Sequence, residues 1–190
     1  QYYPVERNKS GAYRDLHVLQ EVYYNIGRGD KLGLNAWYVN SNRELPMLTT
    51  DYADDTKFDN RQHEQTFRGV VSWDHMRDEW SISTNGGYVH TSMAYDYVRD
   101  PGNGTMTPMT RSRSKINTIY AKADGKYYIG NKWMFTANLA MHQHFVESRD
   151  KNIILQEGNK AIVGYNQARV ETSGVVSAKW QPIDRLGMSV

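Results

Sequence analysis

Apolar and polar residues alternate one by one through most of this 190-residue chain. In segment 133–146, for example, Trp133, Phe135 and Leu139 share one phase of the alternation, and His142 and His144 share the other. A period of two is typical of a strand with one apolar and one polar face, whereas helical periodicity is almost absent. The alternation predicts eight strands, at about 13–27, 31–42, 62–76, 79–97, 115–129, 132–147, 165–181 and 185–190. We therefore expect an all-β protein.

The segments that connect the predicted strands alternate in length. Short turns are expected near 29–30, 77–78, 130–131 and 183–184, and long polar loops at about 43–61, 98–114 and 148–164. All five prolines fall outside the predicted strands, and the apolar phase blurs after Gly86-Gly87, which predicts a bulge or bend there. A soluble meander does not need every second loop to be long. A membrane barrel does have tight turns on one side and long loops on the other.

Aromatic residues make up 12% of the chain, and several of them lie close to the short turns. Six share the apolar phase of their strand and lie within about five residues of a short turn, as a ring of lipid-facing aromatics at a membrane interface requires. They are Tyr24, Trp73, Trp80, Tyr127, Trp133 and Trp180. Aromatic residues at the strand ends of a soluble sandwich are the alternative interpretation.

The other phase of the strands is strongly polar. A wide barrel with a hydrated lumen accommodates such a face, whereas a dry sandwich core does not. Besides His142 and His144, the charged and histidine residues on this phase include Asp15, His17, Glu21, Arg68, Asp74, Lys122, Asp124, Lys126, Arg169, Glu171 and Lys179.

Overall composition excludes several classes of protein. The formal net charge of +2 gives no electrostatic signature of nucleic-acid binding. The absence of Cys excludes disulfide scaffolds and Cys-based metal sites, and no apolar run approaches the ~20 residues of a membrane helix.

Three stretches resemble the barrel of TonB-dependent outer-membrane receptors. Within that family, they are most similar to the cobalamin receptor-like branch. They are segment 32–46 (LGLNAWYVNSNRELP), segment 81–97 with its Gly86-Gly87-Tyr88, and segment 180–186 (WQPIDRL). The resemblance implies an antiparallel, up-and-down transmembrane β-barrel of about 22 strands with an N-terminal plug inside it. Within that barrel, we expect residues 1–190 to be an internal segment of about eight strands, without the plug. A closed eight-stranded barrel is the alternative.

The resemblance also implies a function. The protein is expected to be a bacterial outer-membrane receptor, not an enzyme, that imports a scarce nutrient such as cobalamin or an iron-siderophore. Its expected partners are that ligand, TonB through the absent plug, outer-membrane lipid and a surface lipoprotein, with no nucleic acid among them. Two other functions stay open. An outer-membrane barrel hydrolase would have active residues such as His142 or His144 near a rim, and a secreted β-sandwich would be a soluble binding protein.

Two groups of residues are candidate metal sites. Asp51, Asp54, Asp55 and Asp59 lie in one predicted outer loop, and clustered carboxylates on a flexible loop suit calcium. Receptors of the resembled family can order their outer loops with calcium, although an ordinary solvated acidic loop explains the same residues. The pair of histidines at 142 and 144 could hold a transition metal if a third ligand joined them, or simply form hydrogen bonds in the lumen.

The densest basic run is Arg111-Ser112-Arg113-Ser114-Lys115, at the end of a predicted outer loop. Its cations could bind lipopolysaccharide phosphates through charge-assisted hydrogen bonds, or only make the loop soluble.

Overall fold

The computed structural model describes residues 11–46, 57–100, 102–152, 162–183 and 186–189. These form one eight-stranded antiparallel sheet in which every strand pairs with its neighbours in chain order. The strands are β1 (Tyr13–Asn25), β2 (Asp30–Glu44), β3 (Phe58–Met76), β4 (Trp80–Arg99), β5 (Thr107–Ile129), β6 (Trp133–Asn152), β7 (Ile162–Ile183) and β8 (Leu186–Ser189). The predicted all-β, up-and-down architecture is confirmed. None of the described residues belongs to a helix with the length and hydropathy to cross a membrane.

The register of the sheet brings the apolar phases of all the long strands onto one side. Residues opposite each other in an antiparallel pair point to the same face. One such row runs Val22–Leu34–Val71–Gly86–Ala121, from β1 to β5. The next strands continue the apolar row, because Ala121 pairs with Met141 of β6. We call this side the apolar face and the opposite side the polar face.

The apolar face has no partner layer in the described part of the chain. No hydrophobic residue there is buried, and large side chains such as Leu139 and Val176 remain more than half exposed. A sandwich would cover these residues with a second sheet, and water-soluble proteins rarely leave an apolar surface of this extent uncovered. The single sheet therefore disfavours the soluble sandwich.

The strands extend further into the predicted long loops than the alternation indicates. The sequence places a loop at 98–114, but β4 continues to Arg99 and β5 already begins at Thr107. Two prolines consequently lie inside strands, contrary to our expectation. Pro108 pairs with Val98 where the register shifts, and Pro182 lies within the shift between Trp180 and Ile183. Such irregularities tolerate proline because a ladder hydrogen bond is already missing there.

The expected bulge at Gly86-Gly87 is absent, because β3 and β5 pair without interruption through both glycines. The blurred pattern has a packing cause instead. A Cβ on Gly87 would lie 2.5 Å from the ring of Tyr120, so the glycine makes room for that tyrosine on the polar face.

Two adjacent valines of β7 test the assignment of the faces. Val176 lies on the apolar face opposite Ala137, and Val175 lies on the polar face opposite Asn138. We expect Val176→Arg to lower the free energy of unfolding by about 2–4 kcal/mol in lipid vesicles, because it places a cation in the hydrocarbon. Val175→Arg, the matched control, should change it by less than about 1 kcal/mol. The measurement is urea unfolding of the protein in vesicles, and equal losses in both variants would contradict the assignment.

Candidate functional site

The six aromatic residues predicted from the sequence lie on the apolar face, at the end of the sheet that carries the short turns. In the register of the sheet, Trp80 is directly opposite Tyr127, and Trp133 is directly opposite Trp180. Tyr24 and Trp73 are both opposite Leu32, on its two sides. We call them the turn-side row, and its members are Tyr24, Trp73, Trp80, Tyr127, Trp133 and Trp180. The structure brings all six together; their contact with lipid stays a prediction.

Several contacts hold the turn-side row in place. The rings of Trp133 and Trp180 stack with centroids 5.5 Å apart. Trp73 donates from Nε1 to the Asp30 carboxylate at 3.0 Å, while His75 Nδ1 lies 2.6 Å from the same oxygen. His75 is only 7% exposed because its ring lies against Trp80, with centroids 4.4 Å apart. The indole of Trp73 thus lies on the apolar face while its N–H group points toward the turn that carries Asp30.

A second aromatic row crosses the apolar face nearer the long loops. Tyr38 of β2 pairs with Phe67 of β3, and Tyr88 of β4 lies diagonally beside Phe67. We call these three residues the loop-side row. The Tyr88 hydroxyl donates to Asn117 Oδ1 at 2.7 Å, so its polar tip points away from the apolar residues. The loop-side row was not predicted from the sequence, because its three residues lie far from the short turns. Each of them does share the apolar phase of its strand, and this common phase would have indicated the row.

The two rows enclose an apolar band of membrane thickness. The distance between the rows is about 20 Å along β3, from Trp73 to Phe67, and about 26 Å along β4, from Trp80 to Tyr88, at ~3.3 Å per residue. A tilted membrane strand needs about 9–11 residues, which matches the nine residues from Trp80 to Tyr88. Beyond Tyr88 the same face becomes polar, with His90 and Asn117 as the next residues. The strands thus continue well past the band on the loop side.

The polar face carries the charged residues that the alternation assigned to it. Its side chains form short networks, such as Lys122 with Asp124 at 2.8 Å and Asp15 with His17. Near β2, the Arg68 guanidinium lies 5.5 Å from the centre of the Trp37 ring. Because polar and charged groups predominate on this face, it suits contact with water and polar solutes.

The two histidines of β6 lie together on the polar face without forming a metal site. Their rings stack with centroids 6.1 Å apart, and Tyr120 stacks on His142. Thr118 Oγ1 lies 2.9 Å from His144 Nδ1. Among the described residues no three His, Asp or Glu side chains are grouped to hold a metal. These contacts are those of hydrogen-bonding and stacking residues.

The proposed calcium loop lies mostly outside the described residues. Asp51, Asp54 and Asp55 fall in 47–56, for which nothing is described. Asp59 is at the start of β3, where Arg61 Nε lies 2.8 Å from its carboxylate. The calcium site therefore stays a prediction.

The basic run lies within β5 rather than at the end of a loop, which corrects the sequence interpretation. Strand geometry sends Arg111, Arg113 and Lys115 to one side and the two serines to the other. The cations are on the same side as the apolar face, beyond the loop-side row. Asp96 of β4 accepts two hydrogen bonds from Arg113, at 2.8 and 2.7 Å.

Comparison with known proteins identifies this architecture. No family model and no curated protein matches the sequence. Two solved structures match 92% of the chain: the ferric yersiniabactin uptake receptor FyuA from Yersinia pestis (TM-score 0.65, 12% identity) and the ferric citrate transporter FecA in its unliganded form (TM-score 0.55, 13% identity). The chain therefore shares its fold with a segment of each of these two proteins. The chain spans 27% of FyuA and 26% of FecA.

The five tryptophans give a direct test of the two faces. Trp37 is on the polar face, and the other four belong to the turn-side row. In single-tryptophan variants reconstituted in vesicles, we expect brominated lipid to quench Trp133 fluorescence strongly and Trp37 only weakly, because bromine quenches at contact range. Aqueous iodide should show the reverse preference. Equal quenching of both indoles by the lipid would contradict a lipid-facing row.

Proposed function

We propose that this chain forms part of the wall of a bacterial outer-membrane receptor that takes up a scarce nutrient and performs no chemistry on it. The observation that carries the proposal is the apolar band between two aromatic rows on one face, with a charged face behind it. Such a sheet is stable only where lipid covers one side and water or polar protein the other. The likeness to an uptake receptor and a transporter supports the same function.

The polar face supports passage of a polar solute. Side chains on that face project into the lumen of a closed barrel. Arg68 and Trp37 offer a cation and an aromatic surface side by side, which suits an anionic chelate. Among nutrients we favour an iron chelate, because FyuA and FecA are both named for ferric ligands. Cobalamin is the narrower alternative, supported by the resemblance of segment 32–46.

The remaining parts of the proposal concern the whole protein. Energy would come from TonB acting on a plug domain inside the completed barrel. Calcium bound by Asp51, Asp54, Asp55 and Asp59 would order one outer loop. A surface lipoprotein is a further proposed partner at the loop side.

Uptake of labelled ligand tests the function. We expect cells that lack the gene to lose accumulation of radioactive iron from at least one ferric chelate. Cells that lack TonB should lose the same uptake, and parallel assays with labelled cobalamin distinguish the two nutrient classes. Unchanged uptake of both nutrients in the deletion strain would refute the transport proposal.

Arg68 is the residue of the described polar face that we expect to matter for an anionic ligand. Arg68→Gln removes a charge beside Trp37, and it should raise the KM for uptake about tenfold to a hundredfold, the value of a charge-assisted hydrogen bond of about 1.5–3 kcal/mol. Arg14→Gln is the matched control. Arg14 lies on β1 and on the apolar side of the sheet, so this variant removes the same charge from the face opposite to Arg68. A similar change in KM for both variants would show that Arg68 has no particular role in the lumen.

A further inference from the structure

Strand β5 carries three cations on the side of the sheet that bears the apolar face. Arg111, Arg113 and Lys115 alternate with serines, so their side chains project together on the same side as the apolar band. Lys115 is four residues beyond Ile119, the partner of Tyr88 in the loop-side row. With ~3.3 Å per residue and a tilt of about 40°, Lys115 lies roughly 10 Å above that row. This is the depth of lipid headgroups, where long cationic side chains commonly lie.

The carboxylates nearby do not neutralise these three cations. Asp96 is the acidic partner of both arginines, with Arg111 Nε at 3.7 Å and Arg113 Nη2 at 2.7 Å. One carboxylate thus serves two guanidinium groups. Glu147 lies opposite Lys115 in the register, but its carboxylate is 2.8 Å from Arg149, whose charge it balances. Arg113 already donates from Nη1 to the carbonyls of Tyr95 and Ser112 and from Nη2 to Asp96. The three side chains therefore have an excess of positive charge, and the donors open to a ligand are mainly those of Arg111 and Lys115.

The surface below the cations is shaped for a hydrocarbon chain. Small residues on the apolar face of β4 and β5 leave a shallow groove between the bulkier side chains of the neighbouring strands. It is lined on this face by Val71, Trp73, Gly86, Ala121, Ala123 and Leu139. A groove of this kind accepts an acyl chain, and the same two strands lead from it to the cations.

We propose that Arg111, Arg113 and Lys115 form a binding surface for the phosphate groups of a glycolipid in the outer leaflet, a lipid of the lipid A type. Charged phosphate oxygens accept hydrogen bonds from guanidinium and ammonium groups, and arginine matches them with two parallel bonds. The acyl chains of the same lipid lie against the apolar band. The proposal requires the membrane placement argued above but is independent of which solute the receptor carries.

Native mass spectrometry of the whole purified protein in detergent tests the surface. The probes are bisphosphorylated lipid A and the same lipid after enzymatic removal of its phosphates. We expect the Arg113→Gln/Lys115→Gln double variant to bind bisphosphorylated lipid A about tenfold more weakly than the unaltered protein. Removing the phosphates should weaken binding to the unaltered protein similarly and abolish the difference between the two proteins.

The matched control is the Lys126→Gln/Lys179→Gln double variant, which removes two charges from the polar face. Its affinity for lipid A should stay within about twofold of the unaltered protein. The single variant Lys115→Gln leaves the pair of Arg113 with Asp96 intact, and it should lose a smaller part of the affinity while keeping the β-sheet circular dichroism of the unaltered protein.

Several results would overturn the proposal. One is equal affinity of the unaltered protein for the two lipids. Another is that the control variant loses as much affinity for lipid A as the Arg113→Gln/Lys115→Gln variant. A third is that neither this double variant nor Lys115→Gln loses affinity for lipid A. Displacement of lipid A by an equal concentration of inorganic phosphate would also overturn it, because the site would then select the ion and not the lipid. Iron and cobalamin uptake is measured separately, so a receptor that binds lipid A but imports neither nutrient would refute only the transport proposal.

Discussion

The structure depends on keeping every backbone N–H and C=O paired within one sheet while the two sides of that sheet meet different surroundings. Lipid provides no hydrogen bonds, so a strand that crosses it must satisfy its backbone through its neighbours. Long antiparallel strands joined in chain order meet this requirement, and the antiparallel register makes the apolar phases coincide. In the described ranges β1 and β8 each pair on one side only.

The same constraint explains why the sheet has no conventional core. Its apolar residues are small or medium-sized within the band and aromatic at both edges, and the described ones are not buried by other protein atoms. In water this exposure would drive aggregation, whereas in a bilayer lipid supplies the missing contacts. The buried residues in the described part of the chain are polar: His75 lies at the turn end, where Asp30 bonds to Trp73 and His75, and Asn60 and Ser148 lie near the long loops. Packing against other protein atoms therefore does little to bury the apolar face.

The extension of the strands beyond the apolar band fixes the direction of the side chains that lie there. If β5 ended at the loop-side row, Arg111, Arg113 and Lys115 would belong to an irregular loop with no fixed direction. Because the ladder continues to Thr107, their orientation is set by the pleat, and the cations lie on the side of the apolar face. The same ladder places Trp37 and Arg68 on the polar face. The two faces of one sheet thus present different chemistry at fixed positions.

Local alternation in the sequence was enough to determine the number of strands, the phase of each strand and the position of the turn-side row, because a period of two assigns each side chain to a face without reference to other strands. Only the tertiary structure decided which residues become neighbours. The pairing of Tyr38 with Phe67, the groove at Ala121 and Ala123 and the sharing of Asp96 by two arginines all depend on the register between strands, which a single strand does not encode. The ends of β4 and β5 also escaped prediction, since polar residues beyond the apolar band lose the alternation while hydrogen bonds to the neighbouring strand still hold them extended.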